Sequence, residues 1–174
     1  MLWISMISMV MFFAGLTSAY LISMRREDWV TFELPDGFYI STVLIFISSI
    51  SLSISQRLLK KQKRRRSIIF LVTTLVIGIA FIFGQYAGFV ELKNAGLFFT
   101  GPTSTVSTSF IIGISLMHAF HVAAGILVLF VLTYNHLRNQ YKFNSLLGFE
   151  LGAIFWHFVD ILWIYLFFFF YFIR

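Results

Sequence analysis

Few residues of this chain can do chemistry in an apolar setting, and they fall in two places. Glu150, His157 and Asp160 share one long apolar run, and His118 and His121 share another. On a helix, spacings of seven and three set Glu150, His157 and Asp160 along one stripe, and a spacing of three sets His118 and His121 on a common face with Gly125. At about 1.5 Å per residue, Asp160 lies about 16 Å along its run and His121 about 17 Å along its own, near the middle of a bilayer. A carboxylate at that depth costs at least about 2.5 kcal/mol, so it must be paired, protonated, or facing water or protein. Three chemistries are open to this set. The residues can hold helices together by buried hydrogen bonds, ligate a metal or haem if imidazoles on separate helices converge, or pass protons from Glu150 into the His/Asp stripe.

The elements that must position these groups follow from composition. The chain has 174 residues, of which 59% are hydrophobic, 20% aromatic and only 11% charged, with a mean hydropathy of +0.89. Soluble chains carry about 25% charged residues, so this composition excludes a cytosolic enzyme and points to an all-α integral membrane protein. Five runs meet the requirement of about 20 apolar residues for a hydrocarbon core about 30 Å thick. They are residues 2–24, 37–55, 67–90, 106–132 and 149–172. Together they take most of the chain, leave no room for a soluble domain, and predict a single membrane domain over residues 1–174. The first run has no basic residue before it and exceeds the 7 to 15 residues of a signal-peptide core, so it reads as a retained helix.

Of the thirteen basic residues, seven (Arg57, Lys60, Lys61, Lys63, Arg64, Arg65 and Arg66) sit between the second and third runs. A cluster so close to a span faces anionic lipid and sets orientation; the broad aqueous basic face that nucleic acid needs is missing. With the N-terminus cytoplasmic, those seven join Arg138 and Lys142 inside, against Arg25, Arg26, Lys93 and Arg174 outside. That bias predicts a cytoplasmic N-terminus and a periplasmic C-terminus. The acids Glu27, Asp28, Glu33, Asp36 and Glu91 fall in the outer loops of the same arrangement. Pro35 and Pro102 stand just ahead of the second and fourth runs, where a missing N–H costs nothing. Gly84 and Gly88, with Ala80, form a small-residue ridge on the third helix, and Gly148 and Gly152 form another on the fifth, spacings that let helix backbones approach closely. Ser48, Ser49, Ser51, Ser53, Thr17, Ser18 and Gln85 read as interhelical hydrogen-bonding groups. Phe167, Phe168, Phe169 and Phe170 read as lipid contact, Tyr171 as an interfacial anchor, and Trp156 and Trp163 as facing headgroups or a partner. Cysteine is absent, which removes disulfides, thiolate metal sites and a cysteine nucleophile. Because the fourth and fifth helices run antiparallel, their polar stripes are expected to face one another, with a histidine donating to Asp160.

At Phe155, Trp156, His157, Phe158, Val159, Asp160, Ile161, Leu162 and Trp163 the chain resembles the last transmembrane helix of subunit III of the haem-copper oxygen reductases, the cytochrome c oxidase family. Gly148, Phe149, Glu150, Leu151, Gly152 and Ala153 match the entry to that helix, and His118, Ala119, Phe120, His121 and Val122 with Gly125 match a second family segment. Gly78, Phe81 and Gln85, then Leu34, Pro35, Ser41 and Thr42, then Met11, Phe12, Phe13, Ala14, Gly15, Ala19 and Tyr20 extend the likeness over most of the chain. It resembles the five-helix form; many members have seven helices, the first two making one arm of a V-shaped lipid-holding cleft. Met9 stands where many members carry a buried glutamate, so that carboxylate's role does not carry over. Ala87, Gly88 and Phe89 lack the acidic residue usual a few positions after Gln85.

The resemblance implies an accessory subunit of a proton-pumping terminal oxidase in aerobic electron transport. Such a chain is not itself catalytic and carries no redox centre, haem and copper belonging to partner subunits I and II. It would bind subunit I chiefly, hold phospholipid, support assembly and proton uptake, and sit as a multi-pass protein in the bacterial inner membrane, with subunit II and other respiratory subunits nearby. Within the family a quinol oxidase is the alternative to a cytochrome c oxidase. Outside it stands an independent membrane haem or quinone-binding protein.

Overall fold

The computed structural model describes residues 1–26, 29, 34–96, 105–138 and 146–173. These form five helices, α1 (Leu2–Ser23), α2 (Asp36–Lys60), α3 (Arg64–Asn94), α4 (Val106–Leu137) and α5 (Leu147–Phe172). All five are long and apolar enough to cross a membrane, as the sequence predicts. Lys142, Arg174, Glu27, Asp28, Glu33 and Pro102 lie outside the described residues.

Four of the helices outrun their apolar stretches. At 32 residues, α4 is about 48 Å long, well beyond a hydrocarbon core of about 30 Å. A hydropathy window stops at the first charges, whereas Gln, Arg and Lys are good helix formers and continue the backbone hydrogen bonds into the headgroup layer. So α2 runs through Arg57 to Lys60, and α3 starts at Arg64 among the arginines. Between them, Lys61, Gln62 and Lys63 make a tight turn in which Gln62 takes φ 57°. Pro35 caps α2 in an extended conformation, and the Thr105 hydroxyl accepts from the Thr108 backbone N–H at the start of α4.

Helices α2, α3, α4 and α5 form a closed ring in which each packs on two others, and α1 lies outside it against α4 and α5. The α2–α3 contact is the most extensive, and glycine explains why. A Cβ on Gly37 would stand 2.8 Å from the Gly88 amide nitrogen and 2.9 Å from the Gly84 carbonyl oxygen, and one on Gly84 would meet the Ser41 hydroxyl at 2.7 Å. The small-residue ridge of α3 therefore receives the start of α2. Gly152 does the same for α4, since a Cβ there would stand 2.6 Å from Leu132. Gly148 instead is exposed and lines an open groove.

The ring interior is aromatic. Trp156 and Trp163 are 1% and 0% exposed, which corrects the expectation that they face headgroups or a partner. Gly78 and Gly125 flank the Trp156 ring, with hypothetical Cβ atoms at 2.7 and 3.0 Å. Phe167, Phe169 and Phe170 are also buried and only Phe168 is largely open, so the Phe run is mostly core and not lipid contact. Three helices pack around α5, and a helix apolar on every face cannot reveal by its pattern which side meets protein. The exposed apolar surface comes from α1 residues such as Trp3, Ile4 and Ile7, with Ile50 of α2, Val76 of α3 and Phe130 of α4.

Candidate functional site

The polar stripe of α5 exists, and it meets α2. The two helices run antiparallel, so residues rising along α5 meet residues falling along α2. At the helix ends the Lys60 ammonium lies 2.8 Å from a Glu150 carboxylate oxygen, with both side chains about half-exposed. One level deeper, His157 Nδ1 is 2.7 Å from the Ser49 hydroxyl and Nε2 is 3.4 Å from the Ser53 hydroxyl. Ser53 donates its own proton to the Ser49 carbonyl at 3.0 Å. A neutral imidazole protonated at Nε2 satisfies the whole set: Ser49 donates to Nδ1, Nε2–H donates to Ser53, and Ser53 donates to the backbone. Further along, the Trp156 and Trp163 indole N–H groups donate to the Ser48 and Thr42 hydroxyls, each at 3.1 Å.

Asp160 sits beside this ladder, 3% exposed by its side chain. His157 Nδ1 is 4.0 Å from the nearer carboxyl oxygen, beyond hydrogen-bond range. Neither oxygen has a partner among the described residues at full hydrogen-bond geometry, although the Ser49 hydroxyl stands near enough to act on the carboxyl. The expected donation from a histidine to Asp160 is therefore not made, because the α2 serines already take both nitrogens of His157.

The two α4 histidines do not face the α5 polar stripe, which corrects the expectation of opposed stripes. His118 is fully buried and stacks on Trp163 at 5.1 Å, with Phe81 and Phe13 edge-on around it. His121 turns toward α1: its Nδ1–H donates to the Met117 carbonyl at 2.7 Å, and its ring packs on Phe13 at 5.5 Å. Met9, in place of the family's glutamate, lines a shallow cleft with His121, Ser8 and Phe12. His118 and His121 thus share Phe13 on the α1 and core side of α4 while His157 turns to α2, and no group of three or more His, Cys, Asp or Glu among the described residues is arranged to hold a metal ion. Haem ligation by facing imidazoles does not fit this arrangement.

The residues missed by reasoning from α5 alone are Lys60, Thr42 and the glycine at 37, and the serines were undervalued as scattered groups. A signal was present in the sequence. Thr42 and Ser49, Ser41, Ser48 and Ser55, Glu150 and His157, and Trp156 and Trp163 all repeat at seven, the register that keeps one seam facing another on two gently supercoiled helices.

Away from the seam, an open apolar groove of about 610 Å³ lies where the start of α1 meets α4 and α5, lined by Leu2, Leu127, Val131, Gly148, Gly152 and Phe155 among others. At the same end Arg64 donates to the His136 and Leu137 carbonyls at 2.7 and 2.9 Å, closing the C-terminus of α4.

Five spanning helices around an aromatic core, with a polar seam reaching inward from one end, define a multi-pass membrane protein. The family model described as cytochrome c oxidase subunit III matches residues 1–174, and the chain belongs to that family. A cytochrome c oxidase subunit 3 of Spodoptera frugiperda is 27% identical over 135 residues, covering 78% of this chain and 86% of the relative. One of Mycosarcoma maydis is 30% identical over 140 residues, covering 78% and 46%. A bacterial relative in Rickettsia prowazekii is 29% identical over 139 residues, covering 79% and 48%. The chain thus spans most of the first and about half the length of the other two. These relatives are named as subunit 3 of cytochrome c oxidase, the bacterial one as a probable one.

Proposed function

We propose that the chain is the accessory subunit III of a proton-pumping cytochrome c oxidase in a bacterial inner membrane, forming one membrane domain with its N-terminus cytoplasmic and its C-terminus periplasmic. The observation that carries this reading is the family match over all 174 residues. In this role the chain binds subunit I chiefly and subunit II and other respiratory subunits nearby, while haem and copper stay in subunits I and II. The exposed apolar faces of α1 suit a subunit or lipid contact, and the groove between α1, α4 and α5 suits a phospholipid acyl chain.

The α2–α5 seam supports a part in proton uptake. The Lys60–Glu150 pair stands at the end that carries the basic cluster, and Ser49, His157 and Asp160 lie about two to three turns further in. Glu150, paired with Lys60, marks the aqueous edge where uptake is supported, while His157 and Asp160, with His118 and His121 on the neighbouring helix, keep the packing that presents that edge to subunit I.

The test is a mild-detergent pulldown of the tagged chain, with optical spectra of the captured complex and of the chain after separation. Haem and copper signals in the complex, none in the separated chain, and faster inactivation of oxidase stripped of it are the expected results. Haem retained by the separated chain overturns the reading in favour of an independent haem protein.

A further inference from the structure

We infer that the α2–α3 turn is a binding site for the headgroups of anionic phospholipids. Of the seven cations there, two are already engaged: Lys60 by Glu150, and Arg64 by the carbonyls that end α4. The other five, Arg57, Lys61, Lys63, Arg65 and Arg66, are exposed. No ion pair or hydrogen bond occupies their side chains among the described residues. The tight turn at Lys61, Gln62 and Lys63 holds the two helix ends together, so the five cations crown a single hairpin. Around a concavity of about 560 Å³ stand Gln62, Lys63, Arg64, Arg65 and Arg66.

Among the described residues no acid is left to neutralise this charge. Of its seven acids, Asp36 opens α2 and Glu91 ends α3, both at the opposite ends of those helices. Glu27, Asp28 and Glu33, between α1 and α2 in the sequence, lie outside the described residues. Asp160 is internal, and Glu150 is spent on Lys60. The first turn of α3 carries three arginines, no acid and no side-chain cap, although the positive end of a helix dipole disfavours cations. An anion from outside the chain removes both conflicts.

The position of the patch selects its source. Exposed apolar side chains begin within a turn or two of the cations, at Ile50 on α2 and Ile69 on α3, so the cations stand at headgroup depth beside acyl chains. Clusters of four to eight Lys and Arg at that depth draw anionic lipid, with about 1 kcal/mol for each, or about fivefold. The inference depends on the membrane placement of the helices and is independent of the oxidase reading.

The experiment titrates the purified full chain in neutral detergent with phosphatidylglycerol or phosphatidylcholine of matched acyl chains, read by native mass spectrometry. Phosphatidylglycerol is expected to bind at least about 25-fold tighter, with a preference that fades as salt is raised. Substituting Arg65→Gln with Arg66→Gln should weaken it about 25-fold, at about fivefold for each cation, and leave phosphatidylcholine unchanged. Arg65→Lys with Arg66→Lys should retain most of the binding, and Arg25→Gln with Lys93→Gln, at the other face, should retain all of it. Several outcomes overturn the inference. They are absence of a headgroup preference, a glutamine pair that binds like wild type, equal loss from the opposite-face pair, and displacement by millimolar inorganic phosphate, which would mean a free-anion site. A glutamine pair that keeps its phosphatidylglycerol but leaves the oxidase complex would assign the patch to an acidic protein surface instead.

Discussion

Replacing Gly37 with alanine should loosen the helix pair that carries the seam's hydroxyls. The new methyl would meet only backbone: the Gly88 nitrogen at 2.8 Å, and the Gly84 oxygen and Gly88 Cα at 2.9 Å. Ordinary contact begins at 3.4 Å, so α2 and α3 must part by about 0.6 Å, and a gap of that size forfeits roughly a quarter to a half of the dispersion energy across it. No flexible side chain can yield, which places the cost toward the upper part of the usual overpacking range of about 1 to 3 kcal/mol. Alanine's helix preference returns at most about 1 kcal/mol, and less in the first turn where Gly37 sits. The net expectation is a loss of about 2 kcal/mol, or about thirtyfold in the folding equilibrium. Equilibrium unfolding by sodium dodecyl sulfate in mixed micelles, followed by the fluorescence of the buried Trp156 and Trp163, measures it. Gly15→Ala is the control: nothing lies within 4 Å of that Cβ, so it should be neutral or stabilising by up to about 1 kcal/mol. A Gly37→Ala variant as stable as wild type, or a Gly15→Ala variant equally damaged, would refute the close-approach argument.

Ser48→Ala strands the buried Trp156 indole N–H and should cost about 1 to 3 kcal/mol in the same unfolding assay, whereas Ser53→Ala, which loses a 3.4 Å contact to His157 and a local bond to the Ser49 carbonyl, should cost clearly less; the reverse order would contradict the seam geometry. A double-mutant cycle between Ser49→Ala and His157→Ala should show coupling of about 0.6 to 1.7 kcal/mol, and a cycle between His157→Ala and Asp160→Asn should show less, because that pair stands 4.0 Å apart. Equal coupling in the two cycles would restore the direct His157–Asp160 bond. Lys60→Met should change stability by no more than about 1 kcal/mol, since the pair is half-exposed and screened; if instead the bundle fails to fold, the Lys60–Glu150 contact is structural to a degree its exposure does not suggest.

The number of spans, their order and the polar stripe of α5 were legible from the sequence alone, because hydropathy depends only on each residue's own transfer energy and a helix's 3.6-residue period fixes which side chains share a face. Family membership was legible for a similar reason, since the string around Trp156, His157 and Asp160 needs no partner to be read. What the stripe faces was decided by the tertiary structure. Gly37, Gly84 and Gly88 let α2 and α3 come closest, the ring then closes α2 onto α5, and the serines of α2 take His157 before α4 can offer a histidine. The orientations of His118 and His121 turned on the same packing: Trp163, Phe81 and Phe13 enclose His118, while His121 meets Phe13 alone of these rings. Burial of Trp156, Trp163 and most of the Phe run was equally hidden, because in lipid a core face and a bilayer face are equally apolar, and only contact with other helices tells them apart.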